Sequence, residues 1–292
     1  MIYNYMLYIL LFVIFIISIS LLTYHFVYSS FDKKNKNYYM NKEETLAFLT
    51  KDEDNFVKNL SEIDLYARNV SSIHKYKENF EKIAASFTES EIQILNNTTI
   101  IADKLLNTIK IIDINYINYI NLNDIANIKW IFAKTFKNNI NNDKDIKYEN
   151  GFPHTRKNII FLSNTFFNYD EDEIVKILIH EKIHIYQRYN EDIFNKVIQK
   201  MGYLELKNEI IKNDVNLTNQ LKYKRSNPDI NNKIYKKIST NKILICTYNS
   251  DKPKSINDVT NGYHNEHPYE EIAYELSEYI YDKTKIETYK NI

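Results

Sequence analysis

The chain has 292 residues, enough for one or two domains of ordinary size beside a membrane segment. Its 38 basic and 38 acidic side chains cancel, so no basic footprint points to nucleic acid as a partner. A single cysteine, Cys246, excludes an intrachain disulfide framework and a cysteine-based zinc cluster.

Residues Met6–Phe26, MLYILLFVIFIISISLLTYHF, contain no Asp, Glu, Lys or Arg and are long enough to span a bilayer as a helix. A cleaved signal peptide competes with this reading, but the start MIYNY carries no basic side chain and the apolar run is long. Residues 1–29 are therefore expected to be an uncleaved transmembrane anchor with the lipid bilayer as partner, making a single-pass membrane protein. Lys33, Lys34 and Lys36 follow the span, which favours the cytosolic side for the rest of the chain. Sequons at Asn59, Asn69 and Asn216 favour the opposite face, so the side stays open.

Residues 30–43 are expected to form a polar tether and 44–150 a helical N-terminal region. Segments such as EETLAFL, FEKIAASF and ADKLLNTIK have apolar residues at three- and four-residue spacing and no Pro or Gly. Thr88 before Glu89-Ser90-Glu91 makes a capping box. A looser stretch runs from Leu122 through Trp130 to Phe136, and Asn138–Glu149 is a polar loop closed by Gly151 and Pro153. The run NIIFLS, 158–163, is β-branched and aromatic and predicts a strand. Asp170 with Glu173 then predicts the start of one long helix over IVKILIHEKIHIYQR, whose end Gln187-Arg188 complements the helix dipole. Residues 190–262 read as a polar insertion: helical through 191–212, less ordered around Asn227-Pro228, with a strand at KILICTY, 242–248.

His180-Glu181-Lys182-Ile183-His184 lies in the middle of that long helix. Residues four apart sit one above the other, so two imidazoles can converge on one ion with Glu181 beside them. Those are parts of a zinc hydrolase: two neutral imidazoles, an open position, and a carboxylate that accepts a proton from a water. The motif is short, and context must decide it. Zinc needs a third protein ligand; a nearby Gly-and-His pattern is excluded because Gln187 and Asn190 occupy those positions. The remaining place is a carboxylate on a second helix, and HPYEEIAYELSEYIYDK, 267–283, offers one. Pro268 suits its first position, Glu270 and Glu271 its first turn, and Ile272, Leu276 and Ile280 its core stripe, with Ala273 small enough for close helix approach.

This pair of segments, roughly 158–188 and 267–282, resembles the gluzincin group of zinc metallopeptidases. The group's pattern is HExxH followed at a distance by a ligand glutamate on a helix, commonly within ExxA. The resemblance implies one Zn2+ ion held by His180, His184 and Glu270, with Glu181 as the catalytic base. An acidic residue four places after the ligand often orients a ligand histidine, and Tyr274 stands there. Taking Glu271 as the ligand instead puts Glu275 in that place, so Glu271 is the alternate. His264 and His267 compete as third ligand. Candidates for substrate or oxyanion contact are His154, Arg156, Tyr263, His264, His267 and Tyr274. Zincins also run a sheet-edge strand beside the cleft, the place expected for NIIFLS.

The expected fold is α+β and zincin-like: mostly helical with a small sheet beside the HExxH helix, after an N-terminal transmembrane helix, with residues 151–292 as the catalytic region. The expected function is a membrane-anchored zinc-dependent metallopeptidase acting on a peptide or protein substrate. Two alternatives stand beside it: a zinc hydrolase of a non-peptide amide or ester, and a non-catalytic membrane-tethered structural or binding protein with a zincin fold.

Overall fold

Local signals place the first helices. Asn41 and Glu44 form a capping box at the start of α1 (Lys42–Lys51), and Ser61 with Asp64 does the same for α2 (Glu62–Ala67). Two short helices follow, α3 (Ile73–Glu78) and α4 (Phe80–Ile83), then the two-residue strand β1 (Ala84–Ala85). The Thr88–Glu91 capping box opens α5 (Glu89–Thr108) as expected. The computed structural model describes residues 37–110, 113–136, 148–260 and 266–290, with side chains as far as 282. Within it, Tyr39–Ile292 forms one unit.

After α6 (Leu122–Ala126) comes β2 (Ile131–Thr135), a strand inside the region expected to be helical. Four of its five residues are buried, so it lacks the alternation that marks a half-exposed strand. Its Lys134 reaches Glu91 at 2.6 Å, which lets a lysine lie inside. Two more strands follow, β3 (His154–Arg156) and β4 (Ile159–Ser163). β2 runs parallel to β4, β3 pairs antiparallel with β4, and β1 pairs antiparallel with β2. The sheet thus runs across position 151. NIIFLS is an inner strand, and the edge is His154–Arg156, which corrects the expected edge.

The long motif helix is α7 (Glu171–Tyr189), capped by the Asp170 side chain on the Glu173 N–H at 2.8 Å. α8 (Glu191–Lys200), β5 (Tyr203–Glu205), α9 (Asn208–Asn213) and α10 (Val215–Leu221) fill the stretch expected to be an insertion. β5, β6 (Tyr235–Lys237) and β7 (Lys242–Leu244) form a second antiparallel sheet. The final helix is α11 (Pro268–Lys290).

Alternate residues of the larger sheet feed two cores. Phe132, Ile160 and Leu162 meet Leu178, Ile179 and Ile183 of α7, with Ile272, Ala273 and Leu276 of α11. Ala133, Ile159 and Phe161 instead meet Leu49, Tyr76 and Phe80 from the N-terminal helices and Val57 from the turn between α1 and α2. Each fully buried Leu, Ile or Phe contributes about 1.5–3 kcal/mol, so the first cluster fixes α7 between α5 and α11. Lys182, inside the HExxH motif, adds a polar tie. Its ammonium donates to Asp103 Oδ1 of α5 at 2.6 Å and to Ala126 O at 2.8 Å, over the Trp130 ring.

The structure is mixed α+β. Among the described residues no helix is long and apolar enough to cross a membrane. The three longest, α5, α7 and α11, carry acidic residues in their first turns and more charge along their lengths. Met6–Phe26 lies outside the described residues. The expected transmembrane helix, bilayer partner and single-pass location therefore find no support in any described residue, and the expected fold is corrected to mixed α+β with no membrane-crossing helix among the described residues.

Candidate metal centre

α7 buries Ile174, Val175, Leu178, Ile179 and Ile183, which turns His180 and His184 toward α11. α11 starts where the His267 ring accepts the Tyr269 N–H at 3.1 Å, and its stripe Ile272, Ala273, Leu276 and Ile280 is fully buried. That packing sets Glu270, in the first turn, opposite the two imidazoles.

His180 Nε2 and His184 Nε2 lie 2.9 Å apart, and Glu270 Oε2 is 3.5 Å from each. Donors at about 2.0–2.1 Å from a tetrahedral zinc stand about 3.3 Å from one another. The observed triangle brackets that spacing. His180, His184 and Glu270 thus form a buried two-histidine, one-carboxylate cluster that can coordinate a metal ion.

The charges around it are unusual. Burial disfavours protonation of both rings, and Glu270 offsets this more at His184, which is raised above the ordinary histidine value, than at His180, which is lowered. Burial also opposes charge on Glu270, but His184 and His180 hold its carboxyl well below the usual carboxylate range. Glu181 is driven the other way. Burial first, then Asp229 and Glu270, raise its carboxyl well above the usual range, with Arg188 offsetting part. Its Oε2 and His180 Nδ1 are buried and have no hydrogen-bond partner among the described residues.

A cavity of about 390 Å³ opens onto His180, Glu181 and Glu270, bounded by Phe152, Pro153, His154, Tyr169, Ile177 and Tyr274. The stretch Arg225–Asp229 closes one side. Asn227 Nδ2 donates to Glu270 Oε1 at 2.8 Å, and Arg225 binds Glu266. Asp229 Oδ1 accepts the Thr155 N–H at 2.5 Å and the Thr155 hydroxyl at 2.7 Å. Arg188 reaches the Thr155 hydroxyl and Pro228 O, both at 3.0 Å. The outward amide of the edge strand is therefore already taken. Arg188 lies in the last turn of α7 as expected, but its guanidinium bonds these neighbours.

The other candidates fall in several places. Glu271 turns away from the cluster, accepting the Tyr203 hydroxyl and facing Lys237 at 3.4 Å, and Glu275 accepts the Tyr116 hydroxyl. Arg156 is fully buried between Asp52, Asp54 and Tyr148, so it holds the loop and does not face the cavity. His154 does line the cavity; its Nδ1 is 3.0 Å from Phe152 O, and burial lowers its pKa. His267 sits on Asn231 at 3.0 Å, pushed down to about 3 by burial, outside the metal cluster. The Tyr274 ring lies 4.4 Å from the His180 ring. Tyr263 and His264 lie outside the described residues.

Sequence reasoning missed Gln187, Asn227 and Asp229. Gln187 had a signal: three residues after His184, it shares a helix face with it. Asn227 and Asp229 had none, because Asn227 meets a partner 43 residues away. No protein-family model matches the chain, and no curated protein or solved structure matches it.

Proposed function

We propose that this chain is a zinc-dependent hydrolase of the metallopeptidase type, with a gluzincin-like arrangement of His180, His184, Glu270 and Glu181. The observation that carries the reading is the convergence of two Nε2 atoms and one carboxylate oxygen at 2.9–3.5 Å, beside a buried glutamate. Two nitrogens and one oxygen form the donor set of catalytic zinc sites that keep a fourth position open. Zinc in such a site polarises a carbonyl and lowers the pKa of its bound water to about 7.

With such an ion held by His180, His184 and Glu270, Glu181 would accept a proton from the attacking water and return it to the leaving amine. A carboxyl raised by burial suits the first half of the task, since it accepts a proton more readily than an exposed glutamate. Phe152, Pro153, Ile177 and Tyr274 give the cavity an apolar wall, and Asp229 holds the middle of the edge strand through Thr155.

The test uses the purified full chain: zinc stoichiometry, then mass-spectrometric detection of cleavage in a mixed peptide pool. One zinc per chain is expected, with cleavage abolished by chelator and restored by zinc. Glu181→Gln is expected to keep the zinc and lose about 10²–10⁴-fold in turnover, the usual contribution of a positioned base. A chain that takes up no divalent metal, or a Glu181→Gln variant as active as the parent, overturns the reading.

A further inference from the structure

Two neutral amides touch the outer atoms of the cluster, one from each side. Gln187 is fully buried; its Oε1 lies 2.8 Å from His184 Nδ1, and its Nε2 donates to Tyr269 O at 2.9 Å. Asn227 donates through Nδ2 to Glu270 Oε1 at 2.8 Å, and its Oδ1 accepts the Asp229 N–H at 2.9 Å.

The backbone partners settle which way each amide faces. Tyr269 O can only accept, so the –NH2 end of Gln187 must point at it and the carbonyl end at His184. His184 Nδ1 must then carry its proton and donate it, which leaves the Nε2 lone pair turned toward His180 and Glu270. The Asp229 N–H can only donate, so Asn227 turns its carbonyl to it and its –NH2 to Glu270. With Oε1 engaged there, Oε2 is the carboxylate oxygen that faces both imidazoles.

Charge explains why amides stand here. Glu181 and Glu270 are buried in the cavity wall, and Asp229 adds a third carboxyl group beside them. A carboxylate behind His184, the partner that ligand histidines often have, would add a further negative charge where the cavity's cations, Arg225 and Lys176, are already paired with Glu266 and Glu173. An amide orients the ring without that cost.

We propose that Gln187 and Asn227 are the positioning residues of the metal centre. Gln187 fixes His184 in its Nδ1–H tautomer and ties α7 to the start of α11, and Asn227 selects Glu270 Oε2 as the ligand oxygen. This rests on the metal-hydrolase reading, deepens it, and assigns a role to a stretch, 225–229, with no local motif.

The test runs on the full chain with two readouts. Long-range proton–nitrogen NMR on the metal-free protein at about pH 8.5 reports the His184 tautomer, and chelator competition reports zinc affinity. The parent is expected to show His184 protonated at Nδ1. Gln187→Met should lose that signature, and Gln187→Glu, which still accepts from Nδ1–H, should keep it. Gln187→Met and Asn227→Asp should each weaken zinc about 10–100-fold, as loss of a ligand's supporting hydrogen bond does. An Nε2–H tautomer in the parent overturns the assignment of Gln187. Zinc affinities within twofold of the parent for both folded variants overturn the pair. Should Gln187→Met fail to fold, the parent tautomer and Asn227→Asp still decide. A parent chain that binds no zinc sinks the hydrolase reading, whereas the tautomer judges Gln187 independently.

Discussion

Glu149 and Glu181 are equally buried, at 3% and 4% exposure, yet stand in opposite electrical surroundings. Glu149 receives Arg68 Nε at 2.8 Å and Nη2 at 2.6 Å, with the Tyr76 hydroxyl at 3.0 Å. Burial works to raise its carboxyl, but the Arg68 guanidinium holds it below the usual range. Arg156 likewise donates to Asp52 and Asp54, and it holds the Asp54 carboxyl below its usual value against burial. Asp229 and Glu270 both act on Glu181, and the guanidinium that offsets them, Arg188, is spent on backbone carbonyls and Thr155. The N-terminal layer therefore neutralises its buried carboxylates with its own arginines. The site pairs Glu266 with Arg225 but gives Glu181 and Glu270 no arginine of their own, and that deficit is what a bound divalent cation would fill.

Breaking the first arrangement should have the largest effect. Arg68→Met leaves Glu149 buried without its cation and is expected to cost about 3–5 kcal/mol in urea unfolding. Arg68→Met with Glu149→Gln should recover only part of that, because buried Asp64, which Arg68 also faces at 3.5 Å, is left with neutral donors alone. A loss under about 1 kcal/mol for the single variant would mean the pair is not what holds this layer together.

Acidity separates the regions next. Glu266, beside the site, is pushed up to about 7 by burial despite Arg225, against an ordinary 4.5. A carboxyl raised on folding takes up a proton, so its contribution improves as pH falls through 7 and is complete near 4.5. With one pKa unit equal to about 1.36 kcal/mol, the change approaches about 3 kcal/mol. Glu149 and Asp64 are depressed, so their stabilisation is present above the ordinary carboxylate range and lost in acid as pH falls through their lowered values. Unfolding curves from pH 8 to 5 should show the parent gaining stability relative to Glu266→Gln. Parallel profiles would remove Glu266 from the account.

Metal should sharpen the contrast by a similar or smaller amount. Zinc at 100 times its dissociation constant should stabilise the fold by about 2.7 kcal/mol in thermal unfolding. Glu270→Ala should abolish the response, whereas Arg68→Met should keep it. Equal zinc stabilisation of parent and Glu270→Ala would place the ion elsewhere.

Much of the site was legible because it follows local rules. His180, Glu181 and His184 are fixed by helical spacing, Asp170 and Thr88 by capping chemistry, and Glu270 by its place in a first turn with Ala273 behind it. Glu271 was open until packing turned it toward Tyr203 and Lys237. The strand Ile131–Thr135 was hidden because it is buried on both faces, and Lys134 disguised it further by pairing with Glu91. Arg156 looked like a cleft residue because nothing in GFPHTR reveals that Asp52 and Asp54 come to it from about a hundred residues away. Contacts of that range, Asn227 on Glu270 among them, belong to the folded chain and leave no spacing in the sequence.

The smallest expected effect goes to the centre of the comparison. Glu181→Gln keeps the shape of the side chain and removes a carboxyl whose charge the fold opposes, with Oε2 lacking any partner among the described residues. An ordinary buried glutamate such as Glu149 loses stability on the same change, because Arg68 then loses its two-point carboxylate partner. Glu181 has no such arginine to strand, so metal-free Glu181→Gln should be more stable than the parent by about 1–2 kcal/mol near pH 8. The gain should shrink as pH falls, since protonation relieves the parent of the same charge. Zinc should narrow it too, because the cation offsets the charge that the substitution removes. Chemical unfolding of parent and variant at pH 8 and pH 5, each with zinc and with chelator, reads all of these. A destabilised Glu181→Gln at pH 8 without metal would show that the glutamate is held for stability, as Glu149 is. A stabilised one that has lost hydrolysis fits a residue kept for its chemistry at the expense of the fold.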